Sequence, residues 1–233
     1  MTKPHSSTAE EESLKLVEAI VAEIKHALAS LDGKQYKGVF EAYLFWSSKH
    51  LHRAADAFAF LRRSGRVDGT KFLMRPAIEM AFRLEAVRQH RDLLYRIAYS
   101  EHIKEKTFLN AAAKHGKTAD PTISSSVDAK WKKFSDAFAK TFPKIPRVER
   151  EIGVESTAEK AGMQYVYDGH YRIYCQYTHG TLFASVGYLD AVTDLEDNRS
   201  MAGCAMIALD ALISLGAESP NRDELFARQP WGH

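Results

Sequence analysis

Apolar residues recur at three- and four-residue steps along almost the whole chain, a spacing that suits helices and little else. Leu14, Val17, Val21, Ile24, Leu28 and Leu31 make the first stripe, opened by Thr8 and Glu11 in capping-box spacing and closed by Gly33. A second helix is predicted from about Tyr36 to Arg63, with Phe40, Tyr43, Leu44, Leu51, Ala55, Phe58 and Leu61 inward and Gly65 as its stop. A third opens near Asp68 or Thr70 and carries Leu73, Ala77, Met80, Ala81 and Leu84. Pro76 falls inside that pattern, so either the helix is kinked by a missing donor or it starts late.

The fourth helix covers about Asp92 to Lys114, and residues 116–126 read as a flexible loop of turn formers. A fifth, near Val127 to Phe142, packs through Trp131, Phe134, Phe138 and Phe142 and ends at Pro143 and Pro146. Arg147 to Gly162 reads as irregular with one short helical turn. The sixth helix, roughly Gln164 to Leu189, is crowded with Tyr and interrupted by Gly169, Gly180 and Gly187. The seventh runs from near Asp197 to Leu215, with an alanine-rich stripe that admits close approach and Gly216 at its end. Residues 1–8 and 218–233 read as tails. No run alternates in the manner of strands, so the expectation is one all-α domain over residues 1–233. It would be a bundle of about six to seven helices, one of them long and Pro-interrupted and one rich in Tyr and Gly.

At 233 residues and 45% hydrophobic content the chain can bury a sizeable core without disulfides or metal. Cys175 and Cys204 lie in apolar helical patterns and read as small buried hydrophobes. MTKPHSSTAEEE holds no apolar stretch, and Met201 to Leu215 is too short to span a bilayer, so a cytoplasmic protein without membrane contact is expected. A net charge of +2 implies no partner by itself. Its distribution is uneven: Lys49 to Arg96 holds 11 Lys/Arg against 5 Asp/Glu, and Ala184 to Phe226 holds 8 Asp/Glu against 2 Lys/Arg. Such asymmetry suits either a phosphate ligand or complementary packing.

The segment YDGHYRIYCQYTHGT offers chemistry. Arg172 and His179 stand seven residues apart, on nearly one side of a helix, with Asp168 and Gln176 each four residues from Arg172. A permanent cation beside a group that titrates near neutrality suits work on a phosphodiester. The same residues also suit an ordinary helix ion pair and a satisfied core histidine. On the third helix, Arg75, Glu79 and Arg83 follow at four-residue steps within LMRPAIEMAF, either turned inward or as a solvated ladder. Lys130, Lys132, Lys133, Lys140, Lys144, Arg147 and Arg150 form a basic run. Trp131 and Phe134 within it fit the core stripe and read as packing. His50 and His52 diverge on a helix and cannot share a metal. No phosphate-cradling loop, dinucleotide fingerprint, zinc spacing or nucleophile elbow is present, so no metal or cofactor is expected.

HLHRAADAFAFLRRSG, FLMRPAIEMAFRLEAV and YRIYCQYTHG together resemble the bacterial DUF5677 proteins, helical proteins of unassigned function, over roughly Tyr36 to Leu189. The Arg75-x-x-x-Glu79 pair and the late Tyr171…His179 are the hallmarks of that resemblance. Arg172, six residues and His179 also resemble the defining element of the HEPN superfamily. That likeness implies a metal-independent endoribonuclease of a toxin–antitoxin or phage-defence type, acting in the cleft of a homodimer. Arg172 would stabilise the RNA phosphate and His179 would move the 2′-hydroxyl or leaving-group proton. Ile173 departs from the polar residue common after that Arg in HEPN nucleases. The alternative reading is a non-enzymatic binding or regulatory module. In it Arg75, Glu79, Arg172 and His179, supported by Asp168, Tyr171 and Gln176, form a polar cluster that fixes helix packing or holds a small anion.

Overall fold

A computed structural model describes residues 8–36, 38–115, 121–179 and 193–228. Among them the chain is a single helical domain without strands. Four long helices build its centre: α1 (Thr8–Ser30), α2 (Val39–Arg63), α3 (Val67–Gln89) and α9 (Asp194–Ser214). Between α3 and α9 come α4 (Leu93–Lys114), α5 (Pro121–Thr141), α6 (Val154–Lys160) and α7 (Gln164–Val166). A π-helical turn (Tyr167–Tyr171) and α8 (Arg172–Thr178) follow, and α10 (Arg222–Ala227) comes last.

The most apolar segment lies deepest. α9 packs against α1, α2 and α3 at once. Its Ala202, Ala205, Ala208 and Ala211 are fully buried, because side chains that short let three neighbours come near. Thr193 caps it through a capping box with Glu196, which satisfies two backbone donors that the helix cannot. α5 docks more lightly, through an aromatic ladder. Tyr95 lies 5.1 Å from both Trp131 and Phe138, Phe138 lies 5.1 Å from Phe142, and Phe142 meets Phe40 edge-on. Each such pair adds about 0.5–1.5 kcal/mol beyond the area it buries.

Several sequence expectations change. Pro76 sits well inside α3, and the helix neither starts late nor ends there. Pro76 is exposed and Phe72, whose carbonyl loses its partner, is 57% exposed, so the missing bond falls on the solvent side of the helix, where it costs least. The loop expected over 116–126 is helical from Pro121 onward, since Pro costs nothing at a first helical position; 116–120 lie outside the described residues. The predicted Gln164–Leu189 helix is continuous as far as Thr178 but passes through a π turn, Tyr167–Tyr171, in its first half. Its later part, with Gly180 and Gly187, lies outside the described residues. With α6, α7 and α10 added, the described chain holds more helical segments than the six to seven expected.

The tail expected from residue 218 is anchored as far as Arg228. Leu225 is buried, and Glu23 on α1 accepts from Ser219 Oγ (2.8 Å), Asn221 N (3.2 Å) and Asn221 Nδ2 (3.0 Å). Burial raises the Glu23 pKa, and these donors more than offset it, leaving the carboxyl below its ordinary 4.5.

The strongest constraint is polar. Asp197 is wholly buried, accepting from Arg62 Nη2 at 2.7 Å, Tyr174 Oη at 2.5 Å and Lys71 Nζ at 3.4 Å. Arg62 also lies 2.5 Å from Asp194. The cation stands in the last turn of α2 and the carboxylates in the first turn of α9, so each sits where the helix dipole favours it.

Two outcomes follow. Asp197→Ala takes the buried carboxylate from Lys71 and leaves Arg62 only the half-exposed Asp194, and is expected to cost about 3–5 kcal/mol in urea unfolding; a loss under about 1 kcal/mol would contradict this placement. Glu23 has a depressed folded pKa, so its contribution is complete above 4.5 and is lost as pH falls through the folded value. Wild type should therefore exceed Glu23→Gln in urea midpoint at pH 7, and the gap should close well below pH 4.5.

Candidate functional site

α3 presents Lys71, Arg75, Glu79 and Arg83 at four-residue steps, one above another on a single face. α8 and the π turn pack across that face. Their contribution also repeats every four residues: Tyr171, Cys175 and His179. Two stripes facing each other place the candidate cluster.

At its centre, Arg75 Nη1 lies 2.7 Å from His179 Nε2, and Arg75 Nε donates to Glu79 Oε1 at 3.2 Å. Tyr171 Oη donates to the same Glu79 oxygen at 2.5 Å, and the Arg75 guanidinium lies 6.0 Å from the Tyr171 ring centre. A guanidinium holds only donors, so Nε2 of a neutral imidazole must accept, and the ring proton then sits on Nδ1. Glu79 is shared further with Arg83 (3.9 Å), which pairs with Glu101 at 2.9 Å.

Burial works against the charge of Arg75, but Tyr171 and Glu79 more than compensate and raise its pKa. Burial pushes the Tyr171 hydroxyl upward, and the adjacent Glu79 carboxylate adds to this, so the phenol stays protonated as a donor. Tyr171 is closed off, Arg75 and Glu79 are half-buried, and His179 is exposed at the end of α8. The cluster therefore opens to solvent on the imidazole side.

Arg172 takes another direction. Its guanidinium lies 3.6 Å from Asp168, 3.8 Å from Glu155 and 5.3 Å from the Tyr167 ring centre, with 59% of the side chain exposed. Seven residues return a side chain to the same side of a helix but carry it about 10 Å along the axis. Arg172 and His179 thus share a flank and answer to different partners. Asp168 also accepts from Gln164 at 3.1 Å, and Gln176 is half-buried on α8.

One polar centre escaped the sequence reading: Arg62, Lys71, Tyr174 and Asp197. It adjoins the candidate cluster, because Lys71 precedes Arg75 by one turn and Tyr174 precedes His179 by five residues. Lys71 Nζ also lies 5.1 Å from the Tyr177 ring centre. Burial raises the Asp197 pKa, opposed by the Tyr174 hydrogen bond, Lys71 and Arg62. Of the two cysteines, Cys175 is half-buried beside the cluster, whereas burial pushes the Cys204 thiol up to about 12. Among the described residues, no three His, Cys, Asp or Glu side chains are grouped to hold a metal, and no helix is long and apolar enough to cross a membrane.

Tyr171→Phe removes the donor to Glu79 and is expected to cost about 1–3 kcal/mol in urea unfolding. Nitrogen NMR should find the His179 proton on Nδ1 in wild type; a proton resident on Nε2 would rule out the Arg75 contact.

A family model described as "Family of unknown function (DUF5677)" matches residues 41–198, more than half of the chain. That span holds every residue of both polar centres. No curated protein and no solved structure matches.

Proposed function

The chain belongs to the DUF5677 family, and from that premise we propose that it is a non-enzymatic helical binding module whose Arg75–His179 pair holds an oxyanion, a phosphate above all. The observation that carries this reading is the 2.7 Å contact between guanidinium and imidazole at the solvent-reached edge of a polar cluster. Arg75 is oriented in advance by Glu79 and Tyr171, so little side-chain entropy remains to be lost when an anion arrives. A phosphate oxygen would replace His179 as acceptor, and the released imidazole, on taking up a proton from water at Nε2, would then donate to it. Arg172 is less suited to the task, since two carboxylates, Asp168 and Glu155, face it and no imidazole does, whereas Arg75 faces one, Glu79, whose charge Arg83 also offsets.

Isothermal titration with inorganic phosphate and with mononucleotides tests the proposal. Wild type should bind with a Kd between millimolar and micromolar, about −4 to −8 kcal/mol. Arg75→Ala and His179→Ala should each weaken binding at least tenfold, while Arg172→Ala leaves it within twofold. Equal binding in all four proteins would remove the site.

The same contact favours a second reading: a metal-independent ribonuclease in which Arg75, not Arg172, partners His179. Arg75 would stabilise the phosphate charge and His179 would move the hydroxyl proton. The homodimer implied by the HEPN resemblance belongs to this reading. RNA cleavage that survives chelator and is abolished in Arg75→Ala and His179→Ala would favour it. Intact RNA throughout, with phosphate binding retained, would leave the binding module.

A further inference from the structure

Between α4 and α5 lies a cavity of about 490 Å³, a size common for small-ligand sites. Its walls differ in kind from those of the Arg75–His179 cluster. Three rings line it. His102 lies parallel to Trp131 at 5.0 Å, and Tyr99 lies 5.6 Å from the same indole. Phe134 lies 5.8 Å from Trp131, also near-parallel, so a stack of Phe134, Trp131 and His102 runs into the cavity wall. Asn110, Asp128 and Glu149 add an amide and two carboxylates, and Lys106 lies 3.2 Å from Asp128.

The cavity lining itself carries Lys106 against Asp128 and Glu149, but the chain segment that supplies Trp131 and Glu149 to it is strongly positive. Residues 130–150 hold seven Lys/Arg against two Asp/Glu, a net +5 where the whole chain is +2, so the remainder of the chain is −3. All seven cations are exposed. Whereas Lys104 and Lys106 pair with Glu101 and Asp128, none of the seven has an ion-pair partner among the described residues. Lys132 stands one turn beyond Asp128 on the cavity side of α5, and Arg147 and Arg150 flank Glu149 in the chain. Arg96 fixes that last segment, donating to the carbonyls of Arg150 (3.3 Å) and Glu151 (3.2 Å).

We propose that the α4–α5 cleft binds single-stranded nucleic acid, one base entering the cavity against the Tyr99, His102 and Trp131 rings that line it while Lys132, Arg147 and Arg150 hold the flanking phosphates. Stacking alone tolerates any base. Asn110 adds donors and an acceptor for a base edge, and the carboxylates of Asp128 and Glu149 accept from exocyclic amines. A duplex conceals those edges, so an unpaired strand is the fitting form. The surface is independent of Arg75 and His179, and either site can fail without the other.

Fluorescence anisotropy of labelled oligonucleotides of about ten nucleotides tests the proposal, with RNA and DNA of one sequence measured side by side. Both should bind, and the RNA-to-DNA ratio reports whether the cleft reads the 2′-hydroxyl. With three phosphates neutralised, log K should fall with log salt at a slope of about −2. The surface variant Lys132→Glu/Arg147→Glu/Arg150→Glu, its fold checked by circular dichroism, should lose affinity tenfold or more and flatten that slope. Asn110→Ala should weaken an A- or C-rich strand more than a U-rich one. The triple variant should keep the inorganic-phosphate binding of wild type, which reports the Arg75–His179 site separately. No salt-dependent binding by wild type, or equal affinity in the triple variant, would overturn the proposal. So would polyglutamate that competes as well as the oligonucleotides, since a plain polyanion needs no base cavity.

Discussion

Everything that positions the candidate site leans on one carboxylate kept from water. Asp197 holds Arg62 from α2, Lys71 from α3 and Tyr174 from α8 on its two oxygens. A buried charge without partners is expensive, and partners drawn from three helices leave few alternative arrangements. α8 is a short helix that packs Ile173, Tyr174, Cys175 and Tyr177 on the core, and the Tyr174 bond to Asp197 fixes its register against α3, so the positions of Tyr171 and His179 follow. The structural centre and the candidate site are therefore two ends of one polar seam along α3.

Helix existence was legible because apolar spacing is a local property. Thr8, Gly65 and Lys114 mark boundaries at or within two residues of those observed. Pro121 was misread because turn formers on both sides outweighed its aptitude for a helix start. The π turn left no clear trace in the spacing: an extra residue shifts the phase by about 100°, but Tyr165, Tyr167, Tyr171, Tyr174 and Tyr177 recur so densely that an aromatic falls near the inward face in either phase.

The polar seam was half legible. Arg75 and Glu79 declared themselves by sitting among apolar residues, and His179 by its place beyond Arg172. The partner of His179 could not be read, since Arg75 lies 104 residues away. A signal for the buried centre did exist. Arg62 continues the stripe of Leu51, Ala55 and Phe58, Lys71 precedes Met74 and Ile78 on theirs, and Asp197 precedes Met201 and Cys204. Three charges at core positions, of both signs, point to a buried network. Only the fold says which of them meet.

The π turn also decides how the segment after it is aimed. A residue gained or lost between Tyr167 and Tyr171 would act less as a change of length than as a rotation, swinging every later side chain on α8 by about 100°. Such a turn would carry His179 off the Arg75 face and bring another position of α8 round to it. Relatives that differ by one residue there should display a different side chain to the same guanidinium, and so a different chemistry on an unchanged scaffold.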